Sequence, residues 1–194
     1  MGKRILIIQG HPDPAGGHFC HAAAAAYADA ARAAGHRVDL IETAGLDAPL
    51  IRNKTDWADE IPPPAIADCQ RRIAAAEHLV ILYPLWLGTM PARLKGFLEQ
   101  VLRPGFAIRP EGDNGRWRKL LTGRSARIVV TMGMPAPVYR WYFRAHSLKS
   151  LERNILAFVG IAPVRETLFG LVELNAGRRE RFLRRMAKLG ARAR

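Results

Sequence analysis

The sequence predicts an α/β fold, a doubly wound five-stranded parallel sheet with helices on both faces. Three observations point to it. Short apolar runs bounded by turn residues alternate along the chain with longer segments of helical character. Two of the runs, Arg4–Gln9 and His78–Tyr83, are apolar at consecutive positions rather than at every second one, as in strands covered on both faces. Finally, 194 residues of 49% hydrophobic content suit one domain with a full core, expected to occupy the whole of 1–194.

Each element has its own signal. Arg4–Gln9 is the first strand, an Ile/Leu run with charge before it and a Gly-His-Pro break after it. Phe19–Ala34 is Ala-rich with few breakers and reads as a helix, closed by Gly35. Arg37–Glu42 alternates apolar and polar residues and is the second strand. Residues 43–64, ending Ile61-Pro62-Pro63-Pro64, form a long irregular loop, and loops of that length usually serve function. Ala65–Glu77 is a helix and His78–Tyr83 the third strand, followed by a helix over Pro91–Leu102 with proline in its first turn. Residues 103–123, rich in Gly, Arg and Trp, form a second irregular insertion. Ala126–Met132 is the fourth strand, Ala145–Phe158 a helix and Val164–Leu171 the fifth strand, joined by right-handed crossovers.

The last stretch, 176–194, carries eight Lys/Arg against one Glu, a net +7 within a chain of net charge +13. Phe182, Leu183, Met186 and Leu189 recur there at helical spacing, giving a basic helix with one apolar stripe. Such a helix either packs its stripe on the core or docks on an anionic membrane surface or acidic partner. The first reading is expected. No nucleic-acid-reading motif accompanies the charge, so no nucleic-acid partner is expected. No apolar run approaches the ~18 residues of a membrane span, and the start of the chain lacks a secretory h-region, so a cytoplasmic location is expected. Cys20 and Cys69 form no CxxC pair and are expected as free thiols. His11, His18 and His21 have no carboxylate or thiolate spacing that completes a metal site, so no metal is expected.

In a doubly wound sheet, ligands bind beyond the carboxyl ends of the strands. Three loops leave those ends, and all three are unusual. GHPDPAGGHF opens the first helix, and its Gly16-Gly17 pair can bring backbone N–H groups to a phosphate. It is neither GxGxxG nor a Walker A sequence, which disfavours a dinucleotide fold or an NTPase. The second loop, YPLWLGTMP, is far too apolar for a solvated turn and needs a flat apolar object to cover it. The third follows the fourth strand as TMGMPAPVY.

Together GHPDPAGGHFCHA, YPLWLGTMPARLKGFLEQVL and TMGMPAPVY resemble the flavodoxin-like NAD(P)H:quinone reductases, the family of DT-diaphorase and the ancillary oxidoreductases of bacterial potassium-efflux systems. The resemblance covers nearly the whole chain and implies a flavodoxin-like fold, a flavin and a homodimer. The flavin phosphate would sit at the first loop, near His11, Gly17, His18, Phe19 and Cys20. His18, Phe19 and Cys20 stand where the family has a Ser-Phe-Asn-like grip. The isoalloxazine would lie on Pro84, Leu85, Trp86 and Leu87, with Thr131, Met132, Gly133 and Met134 along its polar edge. Pro135-Ala136-Pro137 replaces a Gly-rich stretch of the family.

Tyr139 falls on the family's active-site tyrosine and His146 lies one residue beyond its partner histidine. The resemblance implies ping-pong hydride transfer from NAD(P)H through flavin N5 to a quinone-like acceptor, with Tyr139 and His146 as proton donors. The long 43–64 and 103–123 loops would shape the acceptor pocket, partly across a dimer interface. FMN is expected over FAD, because the chain lacks the C-terminal extension of the longer relatives. The alternative is a regulatory flavoprotein subunit that docks on a membrane transporter through its basic surface.

Overall fold

The structure, a computed structural model, describes residues 2–58, 61–112 and 115–194. In chain order the strands are β1 (Arg4–Gln9), β2 (Arg37–Glu42), β3 (His78–Pro84), β4 (Ile108–Glu111), β5 (Arg116–Lys119), β6 (Ser125–Met132) and β7 (Val164–Gly170). Five of them form one parallel sheet in the order β2-β1-β3-β6-β7. The order reverses between β1 and β3, which makes their carboxyl ends the switch point.

The consecutive apolar runs have the predicted cause. In β3, Leu79, Ile81 and Tyr83 join one core layer while Val80 and Leu82 join the other. The helices are α1 (Phe19–Ala33), α2 (Lys54–Ala58), α3 (Pro64–Ala75), α4 (Ala92–Val101), α5 (His146–Lys149), α6 (Ala157–Val159) and α7 (Ala176–Ala191). Core residues of α3 and α4 pack on one face of the sheet, and those of α1 and α7 on the other.

The basic helix is part of this core. Met186 is fully buried, and Phe182, Leu183 and Leu189 pack beside it against Tyr27 of α1 and Phe169 of β7. The Phe169 and Phe182 rings stack with centroids 4.4 Å apart. Gly190 lets the two helices meet, since a Cβ there would stand 2.2 Å from the Tyr27 carbonyl oxygen. Asn175 caps the helix, its Oδ1 accepting the Arg178 N–H at 2.8 Å.

Three segments differ from expectation. Residues 103–123 are not irregular throughout, because β4 and β5 pair there as an antiparallel hairpin. Its strands are charged and largely exposed, so no apolar alternation announces them. Residues 43–64 contain a 3₁₀ turn (Thr43–Gly45) and α2, and Pro64 already belongs to α3. Residues 59, 60, 113 and 114 of these loops lie outside the described residues. The helix expected over Ala145–Phe158 is π-helical over Ser150–Leu156, between α5 and α6.

Candidate functional site

The first loop is built on a close approach. Gly10 donates its N–H to the Leu82 carbonyl at 2.7 Å, and a Cβ at Gly10 would meet Leu94 Cδ2 at 2.6 Å. Gly16 and Gly17 both have φ of +75°, a conformation that L side chains rarely adopt. They deliver the chain into α1, whose first turn has no side-chain cap and no acidic residue. The N–H groups opening α1 therefore sit at a positive helix end without intrahelical acceptors.

The side chains around this end are partly committed. His11 is buried, stacks on His18 with ring centroids 3.9 Å apart, and meets Trp86 edge-on at 6.0 Å. Its Nδ1 accepts the Asp13 N–H at 3.2 Å, which leaves the neutral ring's proton on Nε2 as a donor. Burial, then the neighbouring His18 and His21, hold His11 below the ordinary histidine pKa. His18 Nε2 lies 2.7 Å from Asp13 Oδ2, so one of its ring nitrogens is already occupied. Asp13 and Gln9, whose Oε1 accepts the His11 N–H at 2.5 Å, are participants that sequence reasoning missed. Both lie two residues from His11, so a local side-chain-to-backbone bond was the available signal. No group of three or more His, Cys, Asp or Glu among the described residues is arranged to hold a metal.

Phe19 and Cys20 do not offer their side chains to a phosphate. Phe19 packs inward, edge-on to Phe169 and Phe182. Cys20 is buried, its Sγ 3.2 Å from Thr131 Oγ1, and burial pushes the thiol pKa up to about 11. Cys20 and Thr131 thus tie α1 to β6, and only the backbone of residues 19 and 20 can serve a ligand. His11, Gly17 and His18 remain on the loop itself.

The second loop is a tight hairpin turn. Trp86 and Thr89 exchange both N–H···O bonds at 2.9 Å, and Leu87 and Gly88 both have positive φ, 46° and 79°. Leu85 donates its N–H to the Thr131 carbonyl at 2.8 Å, fixing the turn to the sheet. Leu85 packs partly into the core and Met90 is buried, whereas Trp86 is 51% exposed and Leu87 fully so. Two large apolar side chains therefore stand in water beside the open end of α1, a place where an apolar ring would be covered.

Along the third loop, Met132 is buried and Met134 partly buried, both in the core layer shared with Tyr83. Their carbonyls accept the N–H groups of Val172 and Leu171, which leaves Gly133 between two anchored residues. Tyr139 departs from expectation. It is 1% exposed, its hydroxyl lies 2.7 Å from Ser147 Oγ and accepts the Leu148 N–H at 3.2 Å. His146 is exposed at the start of α5 and makes no hydrogen bond with Tyr139. The two are not brought together as a donor pair; the tyrosine's partner is Ser147. Buried Tyr83 has a hydroxyl with no hydrogen-bond partner among the described residues, and burial, then the nearby Tyr139, pushes the Tyr83 pKa up.

Tyr139→Phe is accordingly expected to cost about 1–3 kcal/mol of stability, by stranding the buried Leu148 N–H and Ser147 hydroxyl. Urea unfolding measures this loss, and a variant as stable as wild type would contradict the inward role.

The two long loops pack along α4. Arg93 holds the first part, donating to the carbonyls of Thr43 at 2.9 Å and Leu46 at 2.7 Å. Farther on, Trp57 meets Trp117 of β5 with ring centroids 6.4 Å apart. Trp57 also lines a cavity with Leu98, Leu102 and Phe158, at the far half of α4.

The sheet order, the glycine-bearing turn into α1 and the apolar turn after β3 define a flavodoxin-like protein. The chain belongs to the flavodoxin-like fold family, whose model matches residues 3–190. A protein of Haemophilus influenzae named as an uncharacterized NAD(P)H oxidoreductase is 34% identical over 103 residues, 53% of this chain and 50% of that one. The FMN-dependent NADH:quinone oxidoreductase of Ruegeria pomeroyi is 36% identical over 70 residues, 36% of this chain and 34% of the other. The matched stretches thus span half or less of these relatives. Among solved structures, the NAD(P)H:quinone oxidoreductase from Methanothermobacter marburgensis shares the fold at a TM-score of 0.82 and 22% identity, over 98% of both chains.

Proposed function

We propose that the chain is one flavin-binding unit acting as an FMN-dependent NAD(P)H:quinone-type oxidoreductase. The observation that carries this reading is the apolar hairpin turn, with Trp86 and Leu87 exposed beside the uncapped start of α1. The names of the two relatives support the redox class, and that of the Ruegeria pomeroyi protein supports FMN rather than FAD.

The residues fit FMN in three respects. The loop of Gly16 and Gly17 and the N–H groups opening α1 would hold the phosphate, with His11 Nε2–H as a neutral donor. Trp86 and Leu87 would bed the ring and exclude water from one face. The backbone around Gly133, fixed on either side by Val172 and Leu171, would face the ring's polar edge and stabilise charge there. Bound FMN supplies hydride transfer at N5, alternately with NAD(P)H and with a quinone or azo acceptor.

We assign proton exchange with solvent to exposed His146, and to Tyr139 the positioning of the 133–147 segment. Exposed Trp141, Tyr142 and Phe143 form the patch on which a second copy would complete the acceptor pocket. Docking on a membrane transporter through the basic helix finds no support, because that helix's apolar stripe is buried on α1 and β7. No helix among the described residues is long and apolar enough to cross a membrane.

Reconstitution with FMN, followed by absorbance spectroscopy and mass spectrometry of the released cofactor, tests the binding. NADPH should then bleach the flavin, and menadione should restore it, with parallel steady-state lines; intersecting lines would reject the two-step exchange. Trp86→Ala should weaken FMN binding by about 1–3 kcal/mol, or roughly 5–150-fold, at unchanged stability. Unaltered FMN affinity would remove Trp86 from the bed.

A further inference from the structure

At the amino-terminal edge of the sheet, opposite the proposed flavin end, the chain gathers positive charge around a cavity of about 470 Å³. Lys3, Arg165, Arg192 and Arg194 line it together with His78 and Ser125. They come from separate elements: the approach to β1, the start of β7, the end of α7, and the first residues of β3 and β6. No Asp or Glu side chain lines it, and among the described residues none of these four cations forms an ion pair. The balance stays cationic even with a main-chain carboxylate at Arg194 counted against it.

The sheet register concentrates the charge on one face. His78 pairs with Ser125, and Arg127, two residues on, pairs with Arg165. Side chains two apart share a face, so His78, Ser125, Arg127 and Arg165 stand together beneath α7. Two arginines in direct register repel each other unless something negative intervenes. Arg127 is buried and bonds Thr167 Oγ1 through Nη1 at 2.6 Å, which offsets none of its charge.

His78 gives a second, independent sign. It is 2% exposed, its Nδ1 lies 2.8 Å from Ser125 Oγ, and its Nε2 is buried without a hydrogen-bond partner among the described residues. In the tautomer in which Ser125 donates to Nδ1, that unpartnered atom is an N–H donor. A buried donor left without an acceptor is costly, and native structures seldom tolerate one without a ligand or water.

We propose that this cavity binds a small phosphate-bearing anion, with Lys3, Arg165 and Arg192 as its charge partners and His78 in its wall. The size exceeds a single orthophosphate and suits a diphosphate or a phosphorylated small molecule. The same chemistry is offered by a lipid headgroup, so the test separates the two sources.

Calorimetric titration of the full chain with pyrophosphate, at ionic strength held constant by NaCl, should show saturable binding. The titration is made with saturating FMN, so that the phosphate loop before α1 is filled, and repeated without it. Lys3→Gln and Arg165→Gln, both at exposed positions, should each weaken binding roughly tenfold while FMN affinity stays unchanged. Binding absent from wild type, abolished by saturating FMN, or left at the wild-type strength in both variants would overturn the proposal. Binding to phosphatidylglycerol vesicles that pyrophosphate does not displace would also overturn it, in favour of a lipid surface.

Discussion

Met186→Ala should lower the unfolding free energy by about 2–5 kcal/mol, the cost of removing a fully buried side chain from a packed interface. For a chain of this size that corresponds to a fall in Tm of roughly 4–20 °C. Met186 has no solvent exposure and sits between α1 and β7 with Ala23, Tyr27 and Phe169 in the same cluster. Nearby groups have little room to collapse into the void, because Gly190 already brings the α7 backbone against Tyr27. Arg184→Ala on the same helix is the control. Its pairing with Glu180 at 3.3 Å is exposed on both sides, so the change should stay within about 0.5 kcal/mol. Urea unfolding of both variants distinguishes a core helix from a detachable basic appendage. Were Met186→Ala as stable as wild type, α7 would be the appendage, free to dock elsewhere. The outcome bears on function because α7 braces α1, and α1 presents its N-terminus to the proposed phosphate site.

That brace also shows what sequence can and cannot convey. The central strands were legible because burial on both faces writes an uninterrupted apolar run, as in Ile5-Leu6-Ile7-Ile8, and the largely exposed edge strand β2 from its alternation; β1 and β2 both have the expected bounds. The stripe of α7 was legible from its spacing. The β4–β5 hairpin was not: IRPE and RWRK are polar, carry a proline, and pair through backbone atoms that the side chains do not reveal. At the site, the exposed apolar turn was legible because Trp and Leu in a loop need a reason. The inward turn of Phe19, Cys20 and Tyr139 was not. Each direction is set by a partner from another element: Phe169 and Phe182, Thr131, and Ser147 with Leu148. A motif fixes where a residue stands along the chain, while its side chain follows whichever neighbour the topology supplies.

Lowering the pH from 7 to 4 should cost about 3 kcal/mol of stability through His78 alone. Burial, followed by the like charges of Lys3, Arg127 and Arg165, pushes its pKa down from 6.5 to about 4. The unfolded chain therefore takes up a proton at His78 near pH 6.5, whereas the folded chain resists until about pH 4. Between those values the unfolded state holds more protons, so stability falls as pH falls, and it levels off below the folded pKa. His11, also held low by burial, adds to the loss in the same direction. The carboxylates held low by their partners, Asp39 by Arg72 and Glu77 by the Arg4 backbone N–H, lose their contribution only at the acid end of this window. His78→Gln keeps a polar group beside Ser125 but cannot take the charge. Its stability should be flatter than wild type between pH 6.5 and 4, by about the same 3 kcal/mol. Equal slopes in urea titrations at pH 7, 5.5 and 4 would show that His78 is solvated rather than enclosed. A shallower wild-type slope in pyrophosphate than in chloride at equal ionic strength would follow from the cationic cavity, since a bound anion offsets the repulsion that Lys3 and Arg165 exert on a protonated His78.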